Sequence, residues 1–144
     1  MQIVNLRELP LQSNFEGHHV TFPVSSATGT AATATVYMEF EPGAELPEHR
    51  DSAEELLVVL EGSVEASVDG ATVTLEEGDL AVVPAMAPHG ARNASDRPAR
   101  VLGFFGGSTN VATFTDEQGP DRWRVFVVGA PTFMAAPLEE PVAV

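Results

Sequence analysis

Two histidines and two acidic residues stand at spacings that could bring them around one point. His49 and Asp51 are separated by one residue, and Glu55 follows shortly afterwards. Since residues two apart in a strand point to the same side, His49 and Asp51 can face a common interior point. His89 follows a proline-marked turn and would arrive from a neighbouring strand. Two imidazoles with one or two carboxylates suit Fe(II), Mn(II), Zn(II), Ni(II) or Co(II).

The segments that must position these side chains have the pattern of short strands. The stretch 56–60 is continuously apolar, which is typical of a strand buried on both faces. Asp69-Gly70 separates two alternating segments and predicts a hairpin turn. The predicted strands are Thr33–Phe40, Leu56–Leu60, Val64–Val68, Thr72–Leu75, Leu80–Val83, Arg100–Phe105 and Arg124–Val128. Such short strands, with turn signals about every ten residues, indicate an all-β sandwich or barrel.

Both ends of the chain lie outside this pattern. The first twenty or so residues give no clear signal, and we expect an edge strand or an arm there. Residues 131–144 contain three prolines, Ala135-Ala136 and Glu139-Glu140. This composition predicts an extended tail.

Two segments closely resemble the conserved motifs of the cupin family. The first runs from Gly43 through His49-Arg-Asp51 and Glu55 to Gly62, and the second has Gly78, Pro84, His89 and Asn93 at the family's spacing. The resemblance covers residues 43–93, about a third of the chain. It implies one all-β domain over residues 1–144, a double-stranded β-helix or jelly-roll barrel. It also implies that one divalent metal ion is bound by His49, Asp51, Glu55 and His89.

The sequence departs from the family pattern at two positions. Asp51 stands where the family usually has its second histidine. It could ligate the metal, accept a hydrogen bond from a ligating histidine, or mark a site that has lost its metal. Met86 stands where the family has glycine. Because a side chain makes a left-handed backbone conformation costly, we expect this turn to differ from the usual one.

Glu55 is the candidate catalytic residue. It precedes a continuous apolar run, so burying its carboxylate without a partner would be costly. We therefore predict that Glu55 points into the barrel and binds the ion, or a water on it, while Glu54 faces solvent. Whether Glu55 or Asp51 would serve as a base is left open.

Other residues have ordinary structural interpretations. We expect His18 and His19 to be common surface or core histidines. Gly43, Gly62 and Gly78 stand at strand ends, where turns need positive φ. The aromatic residues expected in the core, or in one or two cases at a pocket mouth, are Tyr37, Phe40, Phe104, Phe105 and Trp123.

A second pattern overlaps the first. His49-x-Asp51, His89 and Arg100 resemble the facial triad and cosubstrate arginine of 2-oxoglutarate-dependent oxygenases. This alternative leaves Glu55 and the Gly78 segment unexplained. We therefore expect Arg100 to lie on the outer face of its strand.

The charge balance limits which classes of partner are expected. Among 144 residues, 7 Lys and Arg stand against 21 Asp and Glu, a formal net charge of -14. Such a surface repels nucleic acid and anionic lipid, so neither is an expected partner. Cysteine is absent, which restricts metal ligands to nitrogen and oxygen. The start of the chain has no secretory pattern and no stretch is long enough to span a membrane, so a cytoplasmic protein is expected.

Together these features predict a metal-dependent enzyme that acts on a small oxygen-rich molecule. A dioxygenase for an enol, diketone or phenol is the favoured interpretation. A metal-dependent isomerase or lyase, and a non-catalytic binding or sensor module, remain alternatives, because this fold serves many functions. We also expect a homodimer, since pairing would cover exposed edge strands.

Overall fold

The computed structural model describes residues 1–129, which form two antiparallel sheets of six strands each. The strands are β1 (Gln12–Phe15), β2 (His18–Thr21), β3 (Ala34–Phe40), β4 (Glu45–Asp51), β5 (Glu55–Glu61), β6 (Ser63–Val68), β7 (Ala71–Glu76), β8 (Leu80–Val83), β9 (His89–Arg92), β10 (Ala99–Phe105), β11 (Asn110–Gln118) and β12 (Trp123–Val128). Two single turns of 3-10 helix, Leu6–Glu8 and Ser26–Thr28, precede β3. No helix in residues 1–129 is long and apolar enough to cross a membrane.

The order of the strands within each sheet differs from their order in the chain. The first sheet has the order β1-β2-β3-β10-β5-β8, and the second has the order β12-β11-β4-β9-β6-β7. The chain crosses from the second sheet to the first between β4 and β5, in the short turn of residues 52–54. This arrangement confirms the predicted all-β jelly-roll barrel. Strand β1 is an edge strand, as expected for the start of the chain, whereas the predicted tail lies outside the described residues.

The core lies between the sheets because each strand buries alternate residues. In β5, Glu55, Leu57 and Val59 are buried, whereas Leu56 and Val58 are only half-buried. The other large contributors from both sheets are Val20, Val36, Met38, Phe40, Val64, Leu75, Val83, Val101, Phe105 and Val128. Every strand around the site therefore has one face that points to the interior and one that points away from it.

Several local predictions were confirmed. Asp69 and Gly70 form the hairpin turn between β6 and β7, where Val68 pairs with Ala71. Gly43, Gly62 and Gly78 all have positive φ. At Gly62 a Cβ would also meet the carbonyl oxygen of Pro98 at 2.6 Å, so both the backbone and the available space require glycine.

Three local predictions were wrong. The run Leu56–Leu60 is fully buried on one face only, because its outward-facing residues Leu56 and Val58 are left half-buried. Phe104 is 40% exposed on that same outer face. Met86 does take a left-handed conformation, with φ 65°. Its N–H donates to the carbonyl of Asp51 at 2.8 Å, and its own carbonyl accepts from Arg50, so two hydrogen bonds hold this strained backbone.

Candidate metal centre

Two neighbouring strands of the second sheet bring three of the predicted residues together. His49 and Asp51 both point inward from β4, and His49 is paired in register with His89 of β9. The two imidazole centroids are 4.2 Å apart. Asp51 Oδ2 lies 3.5 Å from His49 Nε2 and 3.0 Å from His89 Nε2. Within residues 1–129, His49, Asp51 and His89 form a group whose ligand atoms all lie within 4.8 Å of one another.

Backbone contacts fix which nitrogen of each imidazole faces this group. The Nδ1 atom of His49 lies 2.8 Å from the carbonyl oxygen of Pro47, and Nδ1 of His89 lies 2.9 Å from that of Ala87. A carbonyl oxygen only accepts, so each Nδ1 is the donor. Each Nε2 is then left to face the carboxylate of Asp51. This is the arrangement in which metal-binding histidines are commonly held.

Glu55 reaches the same place from the first sheet. It is 3% exposed, and its Oε2 lies 3.3 Å from His89 Nε2. Space for its side chain comes from Gly103 in the adjacent strand β10, where a Cβ would meet Glu55 Oε1 at only 2.4 Å. A glycine inside a strand often marks such a close approach. The inward orientation predicted for Glu55 is therefore present, and Glu54 is exposed as expected.

The charges of the group shift the pKa values of its members. Burial alone would raise the pKa of Asp51, but the short contacts with His49 and His89 lower it overall. Burial and the nearby charge of Asp51 raise the pKa of Glu55. Burial would lower the pKa of His89, yet the contacts with Asp51 and Glu55 raise it to about 10. The two carboxylates therefore favour the protonated, positively charged form of His89 in the metal-free protein.

The contact between His89 and Asp51 is electrostatic rather than a hydrogen bond of good geometry. Although the atoms are 3.0 Å apart, neither His89 Nε2 nor Asp51 Oδ2 has a hydrogen-bond partner among the described residues. Buried polar atoms of native proteins are nearly always partnered, by protein, water or a ligand. The two imidazole nitrogens and two carboxylates that meet here form a ligand set that fits a divalent cation.

Asn110 holds the other oxygen of Asp51. Its amide nitrogen donates to Asp51 Oδ1 at 2.8 Å, and its amide oxygen accepts from the N–H of Ala53 at 3.1 Å. Asn110 is 1% exposed, so these bonds are shielded from water. They turn Oδ2 toward the histidines. Sequence analysis missed this residue, since its role depends on the pairing of β11 with β4.

A largely apolar cavity opens from this group and runs between the sheets. Its volume is about 80 Å³, several times the space that one water needs. Phe114 stacks on His49 with centroids 4.9 Å apart, and Trp123 packs edge-on against Phe114. Trp123 thus lines the cavity, as one or two of the predicted aromatic residues were expected to do. His18, for which we expected no role in the site, lines the same cavity.

Arg100 lies away from the cavity, as predicted. Its Nε donates to the hydroxyl of Tyr37 at 2.6 Å, and its Nη1 lies 3.6 Å from Glu61. Both contacts are on the outer face of the first sheet. Asn93, the last position of the second motif, has a structural contact, since its amide donates to the carbonyl of Phe40. The arrangement expected for a 2-oxoglutarate-dependent oxygenase is therefore not supported by the position of Arg100.

Comparisons with known proteins agree with this architecture. The family model of the cupin domain matches residues 36–105. KdgF from a Halomonas species has a TM-score of 0.63 at 20% identity, with 74% of this chain and 94% of that chain covered. The polyketide cyclase RemF from Streptomyces resistomycificus has a TM-score of 0.64 at 20% identity, with 73% and 78% covered.

A third solved structure is similar over a smaller share of its length. Salicylate 1,2-dioxygenase from Pseudaminobacter salicylatoxidans has a TM-score of 0.56 at 22% identity, covering 63% of this chain and 26% of that chain. No curated protein matches the chain by sequence. At these identities the likeness concerns the fold. The motifs, the two sheets and the family match together show that residues 36–105 form a cupin domain.

Proposed function

We propose that this protein is a metal-dependent enzyme that acts on a small oxygen-rich molecule, with oxygenation of an enol, diketone or phenol as its reaction. His49, Asp51, Glu55 and His89 would hold one divalent ion. The observation that carries the proposal is the orientation of the two histidines: both Nδ1 atoms are bound to backbone carbonyls, so both Nε2 atoms face buried carboxylates. A bound ion of this kind supplies a Lewis acid and a site for oxygen.

The protein's own residues would orient and protect the reactants. The apolar walls of the cavity exclude water, which strengthens electrostatic interactions inside it. Asn110 fixes the carboxylate of Asp51, and Gly103 leaves room for Glu55. Glu55 would be the group that takes up a proton from a bound enol or phenol hydroxyl.

Properties of similar folds support a small-molecule ligand. Mutants of the salicylate 1,2-dioxygenase have been crystallised in complex with gentisate, a small molecule that carries hydroxyl and carboxylate oxygens. Oxygenation is proposed because two imidazoles and carboxylate oxygens suit Fe(II) or Mn(II), although Zn(II), Ni(II) and Co(II) are compatible with the same donors.

An isomerase or lyase is a second candidate, and Glu55 favours it. Its carboxyl is 3% exposed, and beside a Lewis acid such a shielded carboxyl could move a proton between carbon and oxygen without consuming oxygen. A non-catalytic binding or sensor module would use the same cavity without turnover.

One experiment separates these functions. Metal content is measured on the purified protein, and the loaded protein is mixed with acetylacetone, catechol or an α-hydroxyketone in an oxygen electrode. We expect oxygen consumption equal to the substrate lost, abolished by Glu55→Gln and retained by the surface control His19→Gln. Substrate loss or deuterium exchange without oxygen would support the isomerase or lyase, and tight binding without either would support the binding module. A protein that binds no divalent ion contradicts the proposal.

The outer face of the first sheet supports the proposed homodimer. It presents a continuous apolar surface in which Leu80 is 57%, Val82 55% and Phe104 40% exposed, beside the half-buried Leu56 and Val58. Within residues 1–129, strand β8 is the edge of this sheet. We expect Val82→Glu to convert a dimer into a monomer in analytical ultracentrifugation. The control is Val125→Glu, on the other sheet, and a wild-type protein that sediments as a monomer contradicts the prediction.

A further inference from the structure

A second polar side chain, from the first hairpin of the chain, lines the cavity. His18 opens β2, points inward with Val20, and is 1% exposed. Its imidazole lies edge-on to Phe40, with centroids 4.7 Å apart, and contacts Phe15 at 5.8 Å. It lines the same cavity as the metal centre.

The imidazole of His18 has no protein partner among residues 1–129. Neither Nδ1 nor Nε2 makes a hydrogen bond there, although both are buried. The adjacent His19 shows the opposite situation, since its Nδ1 lies 2.6 Å from the hydroxyl of Ser13 and its Nε2 lies 3.3 Å from Glu41. Burying an unpartnered polar group costs free energy, and a ligand or water usually meets such a group in native proteins.

The surroundings of His18 determine which ligand it suits. Burial, His19 and His49 lower the pKa of His18 to about 4, so the ring is uncharged at neutral pH. A neutral imidazole offers one donor and one acceptor, which suits a hydroxyl or carbonyl group better than an anion. The aromatic rings on either side hold it in a fixed orientation.

We propose that His18 is a substrate-binding residue: it forms a hydrogen bond with a hydroxyl or carbonyl oxygen at the end of the ligand that points away from the metal centre. The ligand class is therefore an uncharged or singly charged molecule with chelating oxygens at one end, an apolar middle and one more oxygen function at the other. This inference rests on the proposed function, because the metal centre must hold the chelating end.

The test uses two probes that differ by one hydroxyl. Allomaltol and kojic acid share the same enol and ketone oxygens for chelation, but kojic acid has a hydroxymethyl group where allomaltol has a methyl group. Their affinities for the Mn(II)-loaded protein are measured by calorimetry. We expect the wild-type protein to prefer kojic acid about tenfold, the effect of one buried hydrogen bond. The preference should vanish in His18→Phe, persist in part in His18→Gln, and be unchanged in the control His19→Gln.

The outcomes separate this inference from the proposed function. If allomaltol binds the loaded wild-type protein but kojic acid binds no better, the role of His18 is contradicted while the metal-dependent function stands. If neither probe binds, both are contradicted. A preference for kojic acid that survives in His18→Phe likewise contradicts the role of His18.

Stability gives a second, independent readout. Replacing an unpartnered imidazole by an apolar ring between Phe15 and Phe40 should leave the melting temperature of the metal-free protein unchanged or raise it. If His18 binds the ligand, the His18→Phe variant should be at least as stable as the wild-type protein and should have lost the preference for kojic acid. A variant that melts lower and keeps the preference would show that His18 serves packing alone.

Discussion

Two polar clusters of this protein differ in how completely their members satisfy one another. The inner cluster, between the sheets, consists of His49, Asp51, Glu55 and His89. The outer cluster, on the outside of the first sheet, consists of Tyr37, Glu39, Glu61 and Arg100. In the outer cluster no buried side-chain nitrogen or oxygen lacks a hydrogen-bond partner. Arg100 Nε donates to the Tyr37 hydroxyl at 2.6 Å, and that hydroxyl donates to Glu39 at 2.7 Å.

The inner cluster has no such balance. Two imidazole nitrogens face two carboxylates, and His89 Nε2 and Asp51 Oδ2 have no hydrogen-bond partner among the described residues. We therefore interpret the outer cluster as a structural network whose buried polar atoms need no ligand. The inner cluster needs a cation, either a proton or a metal ion, to become complete.

Removing a histidine of the inner cluster should have the largest effect. We expect His89→Ala or His49→Ala to weaken divalent metal binding by more than about 100-fold, because even the loss of a supporting contact commonly costs about 10–100-fold. Metal content after dialysis and a competition titration with a chelator measure it. The matched control in the outer cluster is Arg100→Met, which should leave metal affinity unchanged. Equal affinity in the histidine variants would show that the inner cluster does not bind metal.

Asp51 should affect both affinity and metal preference. If its carboxylate is a ligand, Asp51→Ala weakens binding of Mn(II) and Cu(II), whereas Asp51→His shifts the preference toward Cu(II), since nitrogen donors favour copper over manganese. We expect a loss of about 10–100-fold for alanine. Competition between the two metals measures both effects. Three proteins with the same affinities would place Asp51 outside the coordination sphere and leave His49, Glu55 and His89 as the ligands.

Acid should release the metal. The pKa of His89 is raised to about 10, so this residue is protonated at neutral pH in the metal-free protein and must lose its proton when the ion binds. Below that pKa the affinity should fall about tenfold for each pH unit, and more steeply where Glu55 also takes up a proton. Calorimetry in buffers of different ionisation enthalpy counts the protons released. An affinity that is constant between pH 6 and 8 contradicts this prediction.

The outer cluster should respond in stability and not in metal binding. Tyr37→Phe removes the hydroxyl that links Arg100 to Glu39, while the ring, which is fully buried, keeps its packing. We expect a loss of about 1 kcal/mol in the free energy of unfolding, measured by urea denaturation, because one hydrogen bond has about that net value. Metal affinity should be unchanged. A change in metal affinity would show that the two clusters are coupled through the first sheet.

Local spacing was sufficient to predict much of the inner cluster. The separation of His49 from Asp51 places both on one face of β4, and the motif containing His89 places it on a neighbouring strand. Both carboxylates and both histidines are buried where the motifs imply. Their role as metal ligands stays a prediction until an ion is measured.

Features that depend on long-range pairing could not be predicted in this way. Asn110 and Asp51 are 59 residues apart in the chain, and they make contact only because β11 pairs with β4. His18 faces the cavity because β2 pairs with β3, and nothing in its own segment marks that orientation. The apolar run 56–60 was assigned two buried faces, since a sequence does not show whether another layer covers the outside of a sheet.

The position of Glu55 on the first sheet, opposite three residues on the second, has a mechanical consequence. An ion shared by Glu55 and His89 would join the two sheets directly, because these residues are 34 positions apart in the chain but only 3.3 Å apart in space. The chain has no cysteine, so a disulfide cannot make that link. The metal would then act as a reversible cross-link, and amide hydrogens of β4, β5 and β9 in the loaded protein should exchange together and more slowly than in the metal-free protein.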